Sequence, residues 1–137
     1  MSTKRIKEIF DLVHDRMSYQ TDIRNYGVEE HWKSWAKEIR EGQEDIRDDC
    51  DGFATTFAEL LAEEGFPLQD IAIVFCYSRQ GREGHLACKV FDDERGGWYF
   101  LDNNVKRPMS ESNYRSIFHL ESAMYLHRPG KWVREES

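Results

Sequence analysis

The run Asp48-Asp49-Cys50-Asp51-Gly52-Phe53-Ala54 governs how the rest of the chain is read. It sets a cysteine where an amphipathic helix begins. Phe53, Phe57, Leu60 and Leu61 form the apolar stripe of that helix, and Gly65 followed by Pro67 ends it. A thiol in the first helical turn lies among unpaired backbone N–H groups at the positive end of the helix dipole. Both stabilise a thiolate, and the same N–H groups can hold an oxyanion formed on a substrate carbonyl. The neighbouring acids act in the opposite sense: Asp48, Asp49 and Asp51 raise a thiol pKa unless something neutralises them. Taken alone, Cys50 also reads as a small buried residue.

Towards the N-terminus, Val28, Trp32, Trp35, Ala36 and Ile39 repeat the helical spacing, with Trp32 and Trp35 as core residues. Before the break at Asn25-Tyr26-Gly27, Ile6, Ile9, Phe10, Val13 and Met17 do the same. Towards the C-terminus the period changes. Ile71 to Tyr77 is a short apolar run of strand type, Ser78 to Gly84 a polar turn, and His85 to Phe91 a second strand. Asp92 to Gly97 is a turn and Trp98 to Leu101 a third strand. Pro108 to Asn113 reads as loop and Tyr114 to Leu120 as a short helical turn. Met124 to Val133 adds a last strand or hairpin turning at Arg128-Pro129-Gly130-Lys131. The expected fold is α+β, with N-terminal helices packed on a small antiparallel sheet of meander type, in one domain covering residues 1–137.

His85 opens the second of these strands, and Asp102 closes the third within Phe100-Leu101-Asp102-Asn103-Asn104. Each is ordinary by itself, as a structural histidine and a turn or cap aspartate. Together they say more. Antiparallel neighbours place the start of one strand opposite the end of the next, so His85 and Asp102 can meet. A sheet packed on the Cys50 helix then brings together a nucleophile, a base and a group that orients the base. Asp102 would select the imidazole tautomer and stabilise its charged form. His85 would take the thiol proton and later protonate the leaving group.

This chain order resembles the transglutaminase-like, papain-like superfamily, and the local text resembles its bacterial transglutaminase-like cysteine peptidases. Their Asp-Cys-acid-x-(Phe/Tyr)-Ala motif reads Asp49-Cys50-Asp51-Gly52-Phe53-Ala54, and their Leu-Asp-Asn motif reads Leu101-Asp102-Asn103. The tryptophan helix from Trp32 to Ile39 is similar too, and the resemblance runs from Trp32 to Val105. It departs at Gly52, where many members carry a second acid, and at His85-Leu86-Ala87, where His-Met-Val is usual. The resemblance implies a cysteine peptidase that cleaves a protein or peptide substrate through a thioester acyl-enzyme, with Cys50, His85 and Asp102 as the triad. Transglutaminase and protein-glutamine deamidase chemistry use the same scaffold, and a catalytically silent binding module would keep the fold. An intact Cys-His-Asp set favours an enzyme. Some members bind calcium through the acids flanking the cysteine, which implies calcium at Asp49 and Asp51. A hard cation seeks clustered carboxylate oxygens and would offset their repulsion of a thiolate. The same acids also read as a solvated loop with an N-cap, and the spacing excludes an EF-hand. No organic cofactor is implied.

Composition sets the remaining bounds. Hydrophobic residues make up 39% of 137, enough for one compact core. A net charge of −7, with no Lys/Arg run longer than two, argues against a nucleic-acid surface. No apolar stretch approaches the roughly 20 residues of a membrane span. The segment from Met1 to Glu8 lacks the apolar centre of a signal peptide, so the expected location is cytoplasmic. The three cysteines, Cys50, Cys76 and Cys88, contain no CxxC pair, which fits a reduced compartment. Cys76 and Cys88 read as core, and with His85 they match no standard zinc spacing. His31 and Gln43 are further polar residues within sequence reach of a cleft at Cys50. Neither substrate identity nor oligomeric state is written in the chain.

Overall fold

A computed structural model describes residues 2–19, 34–80, 84–128 and 131–134. The first helix, α1 (Ser2–Arg16), buries Ile6, Ile9, Phe10 and Val13 along one face, as their spacing requires. Met17 continues that spacing but leaves the helix. It opens β1 (Met17–Tyr19), which pairs in parallel with β2 (Ile46–Asp48) in a separate two-stranded sheet. Met17 stays buried either way, so the helical periodicity could not reveal the change.

No acid lies in the first turn of α1. Its N-terminus is instead held by a carboxylate from far along the chain. Ser2 Oγ donates to Asp92 Oδ1 at 2.5 Å and Thr3 Oγ1 to Oδ2 at 2.6 Å, while Arg95 Nε donates to Oδ2 at 2.8 Å. Burial alone would raise the Asp92 pKa. The hydrogen bonds from Ser2, Thr3 and Arg95 outweigh it and hold the group well below the usual carboxylate range.

The second helix, α2 (Ala36–Arg40), buries Ala36 and Ile39. Trp35 immediately precedes it and packs against the core; the earlier part of the anticipated helix, Val28 and Trp32 included, lies outside the described residues. The third, α3 (Cys50–Glu63), begins at the cysteine and buries nine residues, among them Phe53, Phe57, Leu60 and Leu61. Gly65, at φ +99°, closes it: its N–H bonds to Ala62 and the Phe66 N–H to Leu61, the paired bonds of a left-handed helix stop.

A six-stranded sheet lies against α3. Its strands are β3 (Ile71–Ser78), β4 (Gly84–Asp92), β5 (Gly97–Leu101), β6 (Met109–Ser110), β7 (Phe118–Arg128) and β8 (Lys131–Arg134), in the order β6-β5-β4-β3-β7-β8. All its pairings are antiparallel. Strands β3 to β6 form a meander, but β7 crosses over to pair with β3 on its other side. β3 is therefore interior to the sheet, which matches its unbroken apolar text. On one face Ile73 and Leu86 pack with Ala54 of α3.

The region after β5 departs from expectation. The helix α4 spans Glu111–Arg115, ahead of the anticipated Tyr114–Leu120 turn, and β7 starts at Phe118 rather than Met124. The cause is an ambiguity of spacing. Tyr114 and Phe118 are four residues apart and their rings do stack, at 4.8 Å, but across a helix–strand junction. Backbone pairing of Ser78 with Phe118 and of Cys76 with Leu120 then draws this segment into the sheet. β7 and β8 form a hairpin in which Arg128 pairs with Lys131, while the turn residues 129–130 lie outside the described residues. Among the described residues no helix is long and apolar enough to cross a membrane.

Candidate active site

Cys50 is the first residue of α3, half-buried against Ala54, Ile73 and Leu86. Asp49 is the N-cap: its side chain accepts the Asp51 N–H at 3.1 Å. Asp48 turns inward. Its carboxylate accepts Trp35 Nε1–H and the Asp49 N–H, both at 2.7 Å, and it is buried. The Asp48 side chain lies so close to Gly52 that a Cβ there would meet Oδ2 at 2.2 Å. A side chain at position 52 thus has no room unless Asp48 moves.

The Cys50 thiol donates to Asp51 Oδ1 at 3.6 Å, and the Leu86 N–H donates to the sulfur. Burial pushes the thiol up to about 12; the Leu86 N–H opposes this, and the charges of Asp51 and Asp49 add to it.

His85 is the second residue of β4 and is buried. Its Nε2 lies 2.6 Å from Asp102 Oδ1. A carboxylate accepts, so in this pairing Nε2 is the donor and carries the proton. The imidazole stacks on Phe118 at 5.1 Å and 15°. Asp102, one residue past β5, is 1% exposed. Its Oδ2 accepts the Tyr114 hydroxyl at 2.6 Å, its Oδ1 accepts the Asn104 N–H at 3.3 Å, and its main-chain carbonyl accepts from His14 Nε2 at 2.9 Å.

Cys50 and His85 open into one cleft of about 340 Å³, shared with Tyr19, Ser78, Gly84, Asn104 and Phe118. Asp102 stands behind His85, outside the cleft lining. Of the three sequence-selected residues, Cys50 and His85 line this cleft, and Asp102 is joined to them through its contact with His85 Nε2. Tyr19, Ser78 and Phe118 carried no sequence signal, because they arrive from β1, the end of β3 and the start of β7. Gln43 is exposed and absent from the cleft lining, and His31 lies outside the described residues. Cys76 and Cys88 are buried in the core. Asp49 and Asp51 flank Cys50, but the described residues hold no cluster of three or more metal-ligating His, Cys, Asp or Glu side chains.

The sequence profile of the bacterial transglutaminase-like cysteine proteinases matches residues 1–135. Among solved structures, the chain is similar to calcium-bound LapG of Legionella pneumophila, with a TM-score of 0.70 and 20% identity over 98% of this chain and 71% of that one. A second LapG structure from the same organism gives a TM-score of 0.70 at 17% identity, over 97% of this chain and 69% of that one. LapG treated with EGTA gives 0.70 at 16%, over 98% and 73%. No curated protein matches the chain significantly.

Proposed function

The chain belongs to the bacterial transglutaminase-like cysteine proteinase family, and from that premise we propose that it cleaves a protein substrate through a thioester on Cys50, with His85 as base and Asp102 as its orienting group. One observation carries the reading: His85 stands between the Asp102 carboxylate, at 2.6 Å, and the cleft it shares with Cys50. In this mechanism Nδ1 takes the thiol proton as the sulfur attacks the scissile carbonyl. The proton passes to the leaving amine as the C–N bond breaks, and water, deprotonated by the same nitrogen, then hydrolyses the thioester. The oxyanion would form at the N-terminal end of α3, where helix N–H groups stabilise negative charge.

Asp49 and Asp51 are the residues that would hold calcium. Their oxygens are the hard donors calcium prefers, and both charges act on the Cys50 thiol. Two carboxylates leave most of the usual 6–8 oxygen ligands to main-chain carbonyls and water. When bound there, the ion would supply positive charge that offsets the two acids and favours the thiolate.

Incubation with candidate bacterial proteins, followed by intact-mass analysis, tests the activity. Backbone cleavage that disappears in Cys50→Ala is the expected result. The small mass gain of glutamine deamidation, or a cross-linked conjugate, would replace hydrolysis with the other chemistries of the scaffold.

A further inference from the structure

We infer that Tyr114 is a positioning residue that holds the Asp102 carboxylate against His85 Nε2, an inference that rests on the catalytic reading above. Asp102 receives one short bond on each carboxylate oxygen, from His85 Nε2 on Oδ1 and from the Tyr114 hydroxyl on Oδ2, both at 2.6 Å. A carboxylate rotates readily about its Cβ–Cγ bond. Two donors on opposite oxygens stop that rotation and aim one oxygen at the imidazole.

The Tyr114 ring is itself held. It stacks on Phe100 at 4.4 Å and 8°, and on Phe118 at 4.8 Å and 20°; Phe118 in turn stacks on His85. One residue therefore restrains the carboxylate through its hydroxyl and, through Phe118, the face of the imidazole. Tyr114 is 0% exposed and is the one buried residue of α4. Burial first, and then the Asp102 charge, push the phenol far above its ordinary value, so the hydroxyl remains a donor at any working pH.

The test uses the full chain and iodoacetamide as the probe, with Cys50 alkylation rates at neutral pH read by peptide mapping. Tyr114→Phe removes the hydroxyl and keeps the ring stack. It should slow alkylation roughly tenfold, the scale of one hydrogen bond to a charged group. Asp102→Asn should slow it further, and adding Tyr114→Phe to Asp102→Asn should cost nothing more, because Tyr114 acts through Asp102. Two results would overturn the inference alone: Tyr114→Phe alkylated at the wild-type rate while His85→Ala is slow, or the same loss recurring in the Asp102→Asn background. A wild-type rate in His85→Ala would overturn the catalytic reading and this inference with it. An NMR measurement on the unaltered chain is independent of how any variant folds. The Tyr114 hydroxyl proton should give a low-field signal protected from exchange with water, and the absence of that signal would overturn the bond.

Discussion

In the proposed mechanism His85 acts as a base towards Cys50 with Nδ1 unprotonated, the tautomer that an Asp102 oxygen 2.6 Å from Nε2 favours. Asp102→Asn keeps the volume but admits the wrong tautomer. Turnover of a cleaved protein substrate should fall on the order of 10²-fold or more. His85→Ala should lose a similar factor, and the double variant little more, because members of one catalytic unit are not additive. Additive losses in the double variant would show that the two residues act separately. At the nucleophile, iodoacetamide should label Cys50 ahead of Cys76 and Cys88 at neutral pH. Only Cys50 of the three is partly accessible, and only it has an imidazole sharing its cleft. Peptide maps in which Cys76 or Cys88 reacts first would remove Cys50 from the role. Cys50, His85 and Asp102 were legible in the sequence as candidates because each stands at the end of a recognisable element, with the chemistry that such an end supports. Tyr114, His14 and Tyr19 were not legible. An aromatic or histidine at helical spacing reads as core, and nothing local tells which carboxylate or cleft it will meet.

Among the elements, the start of α3 decides whether the nucleophile is presented. Gly52 lies in its first turn against Asp48, which is pinned by Trp35 Nε1 and the Asp49 N–H. Glycine-to-alanine changes inside helices normally stabilise, by up to about 1 kcal/mol. Here the sign should reverse: a Cβ at 52 would meet Asp48 Oδ2 at 2.2 Å and Cγ at 2.4 Å. Gly52→Ala should lose about 1–3 kcal/mol by urea unfolding, the cost of forcing a group into filled space. The loss should shrink when Asp48→Ala is added. A stabilised Gly52→Ala variant would show that Asp48 moves aside freely. The later elements carry the opposite lesson. Strands β3, β4 and β5 could be read from apolar runs bounded by turns. α4 and the start of β7 could not, because Tyr114 and Phe118 satisfy helical spacing while β3 supplies the pairing that makes the segment a strand.

Across the whole molecule, α1 is tied to the β4–β5 turn through Asp92. Because the folded-state pKa of Asp92 lies below its ordinary value of 3.8, its contribution is present at pH values above that value. It is lost as pH falls through 3.8 towards the lower folded value, where the carboxyl becomes protonated in both states. Melting temperature should therefore drop on acidification below about pH 4. Asp92→Asn should be less stable at neutral pH and should show a shallower acid fall. Parallel acid profiles for the two proteins would assign the fall to other carboxylates. Calcium binding belongs to this scale as well, since a ligand held only by the folded state stabilises all of it. At a concentration 100 times the dissociation constant the gain is about 2.7 kcal/mol. Calcium should raise the melting temperature, and Asp51→Ala should abolish most of the rise. Calorimetry without binding heat at millimolar calcium would exclude a site at Asp49 and Asp51.

By itself the sequence determined the α+β class, the helix that begins at Cys50, the hairpin that carries His85 towards Asp102, and the family. The first three follow from periodicity, turn residues and side-chain chemistry within a few tens of residues, and the family from the resemblance carried by Asp49–Ala54 and Leu101–Asn103. Only the tertiary structure decided that Met17 pairs with Ile46, that β7 lies beside β3, that Asp92 holds the N-terminus of α1, and that Tyr114 bonds Asp102. Each of these joins segments far apart in the chain, where the free energy comes from packing and hydrogen bonding between surfaces and leaves no local pattern in either partner.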